Sequence, residues 1–311
     1  MSSEQFLEIL PGALPTARLH AYLLAGVAPR PIAFASTLDK EGRPNLAPFS
    51  FFNVFGSRPP LAIFSPARRV RDNTTKDTLE NVKEVPEVVI NAVNFAMVNQ
   101  CSLASTEYPR GVNEFLKAGL TPIPSDLVRP FGVAESPFRM ECKVREVIET
   151  GTEGGAGNLI VCEILKIHIR QDVLDSEGQI DQHKIDLVAR LGKDWYCRAS
   201  GASLFEVEKP LARLGVGIDS LPESVRTSPI LTGNELARLG NVPQLPSPEA
   251  VSEFVGSGRL EELAARLGYS PGEMAVRAHE AASKLLAENH VEEALLLLMA
   301  TAREVLSDKT V

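Results

Sequence analysis

From Phe138 to Arg145 the chain reads Phe-Arg-Met-Glu-Cys-Lys-Val-Arg, with apolar and charged side chains in strict alternation. A period of two puts the apolar groups on one face of an extended strand and the charges on the other, so this segment is a strand with one wet face. A second strand runs from Leu159 to Ile169. It is continuously apolar at first and then alternates through Leu165-Lys166-Ile167-His168-Ile169, as in a strand set deeper in a sheet or barrel. Earlier pieces of the same sheet are Ile32 to Thr37, the run Asn45 to Asn53, Leu61 to Phe64 and Val88 to Asn91. Asp39-Lys40-Glu41-Gly42-Arg43 reads as a hairpin turn in which Gly42 is free to take a positive φ. Helices are expected at Asp77 to Glu84 and Val112 to Ala118. Many short strands with few long helices favour a mainly β fold, a barrel with added helices, over a doubly wound sheet.

Near Pro210 the texture changes. Val216 to Pro248 is rich in Gly, Pro and Asn and reads as an extended arm or linker. The expected organisation is a β domain over 1–210, an arm over 211–248 and a helical extension over 249–311. Ser270-Pro271-Gly272-Glu273 fits a capping box with Pro at the first helical position, opening a helix to about Glu288. Asn289-His290 separates it from Val291 to Leu306, giving a helical hairpin preceded by a shorter helix at Leu260 to Leu267. Leu295-Leu296-Leu297-Leu298-Met299 is apolar on all sides and must be covered by the rest of the chain or by a partner protein.

A net charge of −8 over 311 residues provides no general surface for phosphate backbones, which argues against nucleic-acid binding. No apolar run approaches the roughly 20 residues that span a bilayer, and Met1 to Gln5 lacks the basic start of a signal peptide, so the expected compartment is the cytoplasm. Cys101, Cys142, Cys162 and Cys197 show no metal-ligand spacing and read as reduced, packed thiols. The five histidines have no spacing that suggests a triad or a metal site.

Gly151-Thr152-Glu153-Gly154-Gly155-Ala156-Gly157 superficially resembles a dinucleotide fingerprint. It lies between two strands rather than before a helix, so a turn explains it better than phosphate cradling does. The segment from Arg68 to Thr78 concentrates positive charge in an acidic chain: four basic residues against Asp72 and Asp77 leave a local balance of +2. Its Thr hydroxyls and the helix start that follows suit an anion, although a solvated basic loop would read the same way.

The order Ala28-Pro29-Arg30-Pro31-Ile32, Asn45-Leu46-Ala47-Pro48-Phe49-Ser50-Phe51-Phe52-Asn53, Pro59-Pro60-Leu61, Lys76-Asp77-Thr78-x-x-Asn81, Ser136-Pro137 and Arg190-Leu191-Gly192-x-x-Trp195-Tyr196-x-Arg198 resembles the flavin-reductase-like FMN-binding split barrels. The resemblance covers about residues 15–210. It implies a split β-barrel of Greek-key-like topology that forms a homodimer, with FMN in a groove at the subunit interface.

Carried onto these residues, the resemblance makes Asn45, Ala47, Pro48, Ser50, Phe51 and Asn53 a flavin wall. Small side chains there let main-chain groups approach a flat ring, and the Phe residues supply apolar surface. By sequence pattern alone the same run would be a barrel strand with an aromatic core. The resemblance also makes Lys76, Asp77 and Thr78 the phosphate site, and Arg30 and Ser36 ribityl or phosphate contacts. Arg190, Trp195 and Tyr196 either close the pocket or stabilise the dimer. Family members that act as short-chain flavin reductases carry Gly-Asp-His where this chain has Gly157-Asn158-Leu159. Two activities follow: an oxidoreductase that passes hydride from NAD(P)H to FMN, or an FMN-binding electron carrier with a helical interaction tail. Neither requires a named acid, base or metal.

Overall fold

A computed structural model describes residues 6–207 and 214–307. The chain divides into two compact units, Met1–Phe205 and Glu206–Val311. The domain boundary expected at 210 lies outside the described residues.

In the first unit, helix α1 (Thr16–Gly26) precedes strands β1 (Ala33–Leu38), β2 (Pro44–Phe49), β3 (Phe52–Ser57) and β4 (Pro60–Phe64). Helix α2 (Asp77–Glu84), strand β5 (Glu87–Asn91) and helices α3 (Val98–Ala104) and α4 (Glu114–Ala118) follow. Next come a small ribbon of β6 (Pro122–Ile123) and β7 (Gly132–Val133), the long strands β8 (Phe138–Glu149) and β9 (Asn158–Ile169), helix α5 (Gln182–Ile185) and the hairpin of β10 (Val188–Arg190) and β11 (Tyr196–Arg198). Seven strands form one antiparallel sheet in the order β2-β1-β5-β8-β9-β4-β3.

Every residue of β1 is buried, because both faces of the sheet are covered there. On one face Ala33 and Ala35 join Phe49, Phe64, Ile90, Met140, Cys142 and Cys162, with Val82 of α2 packed on them. On the other, Ile32 and Phe34 join Leu46, Met97 and Cys101 and the α4 residues Phe115 and Ala118. Each large side chain withdrawn from water in this way contributes about 1.5–3 kcal/mol.

The expected split barrel is corrected by the hydrogen bonding. The ladder ends at β2 on one side and β3 on the other, and no pairing joins them among the described residues, so the sheet is open and flanked by helices. Ser50 and Phe51 carry the chain from one edge strand into the other without forming a hairpin ladder. Runs of short apolar strands look alike in sequence whether or not their ladder closes. The sequence reading also passed over α1 and α3, and α3 helps cover the second face.

The second unit corrects the expected arm and simple hairpin. Residues 211–248 include a short 3₁₀ turn at Ile218–Ser220 and helices α6 (Glu223–Arg226) and α7 (Gly233–Gly240), which bury Val225 and Leu239. The chain continues through α8 (Pro248–Gly256), α9 (Arg259–Leu267), α10 (Pro271–Val276), α11 (Ala278–Ala287) and α12 (Val291–Ser307). The helix expected to run from Pro271 to Glu288 is broken at Arg277, whose backbone leaves the helical region. Leu295 to Leu298 are all buried, in a core shared with α6, α7, α8 and α11, so this unit itself covers the all-round apolar run. No helix among the described residues is long and apolar enough to cross a membrane.

Candidate functional site

Strand β2 organises the site. At its start Asn45 is buried, and its Nδ2 donates to Thr37 Oγ1 at 3.2 Å and to Thr78 Oγ1 at 2.9 Å. Asn81 Nδ2 donates to the same Thr37 oxygen at 3.1 Å. These four neutral side chains tie β1 and β2 to the first turns of α2, and Asp77 opens that helix beside a small polar crevice shared with Asn45, Asn81, Arg43 and Arg110. Glu114, from α4, is also buried and accepts from the Leu46 amide at 3.0 Å, covering the free edge of β2. Burial pushes the Glu114 carboxyl above the usual carboxylate range.

Ahead of α2 the basic segment is laid on the glycine-rich turn. The Arg68 amide donates to the Ala156 carbonyl at 2.8 Å, and the Gly155 amide donates to the Arg68 carbonyl at 2.9 Å. A Cβ on Gly154 would stand 3.0 Å from the Arg69 carbonyl oxygen, so any larger residue would have to push this backbone apart by a few tenths of an ångström. Arg69 Nη1 donates to Thr74 Oγ1 at 2.8 Å and to the Thr75 carbonyl at 2.5 Å, curling the loop around its guanidinium. Lys76 sits at the N-cap of α2 with its Nζ 3.5 Å from Glu107 Oε1. The same Glu107 carboxylate accepts from Arg69 Nε at 2.7 Å and Arg71 Nη2 at 3.0 Å. Hydrogen bonds from Arg69 and Arg71 pull the Glu107 carboxyl down to about 2. Sequence reading missed Glu107: it lies 31 residues beyond Lys76, and no local signal marks it.

At the other end of β2, Arg30 is buried and all three of its guanidinium nitrogens donate hydrogen bonds. It donates to Ser50 Oγ at 3.2 Å, the Val27 carbonyl at 2.7 Å, the Leu191 carbonyl at 3.0 Å and the Leu24 carbonyl. Main-chain hydrogen bonds between Arg30 and Arg190, both 2.9 Å, fix the β10 segment beside it. Burial, and secondarily Arg190, lowers the Arg30 pKa. His20 of α1 stacks edge-on against Phe51, with ring centroids 5.9 Å apart. Burial and the neighbouring Arg30 depress its pKa, favouring a neutral imidazole.

The expected site residues therefore fall into groups. Asn45, Lys76, Asp77 and Thr78 come together at one end of β2, and Arg30, Ser50 and Phe51 at the other, with half-buried Ala47 and Pro48 between them. Trp195 is exposed in the turn between β10 and β11, while Arg190 stacks on Tyr196 with its guanidinium carbon 4.5 Å from the ring centroid. Asn53 is exposed on β3 and accepts from the Val54 amide at 2.8 Å. Ser36 is completely buried, and by strand alternation it shares the face of Phe34 rather than that of Ala35 and Thr37. Its hydroxyl has no hydrogen-bond partner.

His168, on β9, donates from Nε2 to the Glu141 carboxylate at 2.6 Å. Burial alone would raise the Glu141 carboxyl, but the Asp126 and Leu127 amides and His168 hold it below its ordinary value. Asp126 completes a group of three ligand-type side chains there and is itself paired with Lys166 at 2.5 Å. These bonds pin the loop ahead of β7 to the sheet.

Residues 25–184, just over half of the chain, match the model of the flavin reductase like domain. The chain belongs to the flavin-reductase-like family. An uncharacterised protein of Aquifex aeolicus is 36% identical over 189 residues, which are 61% of this chain and 94% of that protein. Among solved structures, nitrilotriacetate monooxygenase component B from Bacillus cereus is 28% identical with a TM-score of 0.61, over 66% of this chain and all of its own. The 2-nitrobenzoate 2-nitroreductase NbaA of Pseudomonas fluorescens is 26% identical with a TM-score of 0.57, over 65% of this chain and 96% of its own. Membership in this family supports FMN binding and an oxidoreductase role in general.

Proposed function

We propose that the protein binds FMN along β2 and accepts hydride onto it from NAD(P)H. The observation that carries this reading is the bond of Thr78 to Asn45 at the head of a half-buried wall of small side chains, with Arg69 and Lys76 gathered on Glu107 in the segment that leads into the same helix. From Asn45 to Ser50 an extended strand advances roughly 17 Å, long enough to run beside an extended mononucleotide. The donor set fits the cofactor: cations and hydroxyls suit a phosphate, and Ala47, Pro48 and Phe51 suit one face of a flat ring. When bound, the flavin supplies the redox chemistry, so the chain's task is positioning and electrostatics. Arg30 contributes by fixing the Ser50 corner, and Glu114 by holding the edge of β2. Purified protein should carry or take up FMN with its characteristic absorption, and protein that is colourless and gains no thermal stability from FMN overturns the proposal.

The reading includes a homodimer with FMN at the subunit interface. Helix α1 buries none of its residues, and Leu23 of α1 together with Phe51, Val54 and Phe55 near the β3 edge stays exposed in the single chain. Sedimentation equilibrium should return twice the chain mass; a monomer at micromolar concentration removes this part.

One observation favours an electron carrier as the second reading. Where family members that act as short-chain flavin reductases carry Asp-His, β9 opens with Asn158-Leu159; Leu159 takes the place of the histidine, and Asn158 is completely buried and donates to the Pro66 carbonyl at 2.7 Å. Anaerobic mixing with NADH and NADPH separates the two: rapid bleaching of the flavin supports the oxidoreductase, and persistent oxidised flavin supports the carrier.

A further inference from the structure

We propose that Glu107 is a displaceable counterion that fills the basic cradle until a phosphate monoester takes its place. This deepens the FMN reading and rests on it for the identity of the ligand. Glu107 arrives from a different part of the chain, the loop between α3 and α4, and a single carboxylate contacts Arg69, Arg71 and Lys76. Among the described residues the Lys76 ammonium has no other hydrogen-bond or ion-pair partner.

Three features make the carboxylate exchangeable. Its side chain is 41% exposed, so it can return to water without a large desolvation change. Exposed ion pairs of this kind are individually weak. A phosphate monoester brings more charge and three acceptor oxygens to the same donors, and so outcompetes one carboxylate. The bonds of Arg69 to Thr74 and Thr75 do not pass through Glu107, so the exchange does not require the cradle to come apart. With Glu107 seated, the local balance of four cations against Asp72, Asp77 and Glu107 is +1; with Glu107 withdrawn it is +2. The group stays ionised across the physiological range, so its withdrawal from the cradle requires no proton. The consequence of the exchange is a cofactor that can leave without stranding the Lys76 ammonium, while Arg71 keeps Asp72 and Arg69 keeps Thr74 and Thr75 as partners.

The test compares wild type with Glu107→Gln and Glu107→Ala, titrating FMN, riboflavin and inorganic phosphate by calorimetry and thermal shift. Both variants should bind FMN about five- to tenfold more tightly while riboflavin affinity stays unchanged. Equal or weaker FMN binding in the variants overturns the proposal and makes Glu107 a positioning residue for Arg69 and Lys76. If neither wild type nor variants take up FMN, the cofactor reading fails, and inorganic phosphate then decides for Glu107 alone. Tighter phosphate binding by the variants supports the exchange; equal or weaker binding overturns it.

Discussion

Arg30 and the Arg69–Lys76 cluster lie toward opposite ends of β2 and carry the same charge, yet their partners differ in kind. Arg30 is buried and spends its donors on three main-chain carbonyls and a serine, all of them fixed by the fold. The cluster is more exposed and, besides the pair of Arg71 with Asp72 and the bonds of Arg69 to Thr74 and Thr75, its three cations share one side-chain carboxylate from a separate loop. A cation whose acceptors are backbone holds a structure together, whereas one whose acceptor is a free-ended carboxylate can trade it for a ligand. Sequence alone gives both the same reading, a basic residue near a motif.

Substitutions should separate the two ends. Arg30→Ala leaves three carbonyls unpaired at a packed corner and should cost about 3 kcal/mol in urea unfolding. A loss below about 1 kcal/mol would put Arg30 back among ligand contacts. Asn45→Ala opens the neutral network with Thr37 and Thr78 and should cost about 1–2 kcal/mol in the same measurement, with no change in salt dependence. Lys76→Ala should leave unfolding within about 0.5 kcal/mol of wild type while weakening FMN by about 1–2 kcal/mol. A stability loss matching that of Arg30→Ala would erase the distinction between the ends.

The smallest effect lies in acid. Glu107 has a depressed folded pKa, so the stability it contributes is present above its unfolded value near 4.5 and is lost as pH falls toward about 2. Over that window wild type should lose slightly more stability than Glu107→Gln, measured by thermal unfolding between pH 5 and pH 2. Identical acid limbs would mean that the carboxylate is not held by the cluster.

Much of the first unit was legible because its patterns are local. The alternation at Phe138 to Arg145 lies within β8, and α2 spans Asp77–Glu84, the span read from its pattern. In the second unit Gly and Pro suggested an arm, but Thr232 and Glu235 form a capping box, a local signal that could have revealed α7. The open ladder was not legible, because strand order depends on pairings between distant segments. The same holds for the site. Lys76 and Thr78 are marked by their motif, whereas Glu107 acquires meaning only when α3 and α4 bring its loop to the cradle. Ser36 matched by its place in a strand, and only the packing of the face it shares with Phe34 and Leu46 shows it sealed from water.

The register of β3 against β4 slips between Val54 and Gly56, which leaves Phe55 without a partner on the neighbouring strand and 63% exposed. Because β3 is an edge, its outer row of amides and carbonyls could otherwise template a foreign strand. A kinked register presents no continuous ladder to extend, and Pro59 and Pro60 at the hairpin end remove two amide donors. The chain can thus keep aromatic side chains at an open edge and still resist growth into fibres by strand addition.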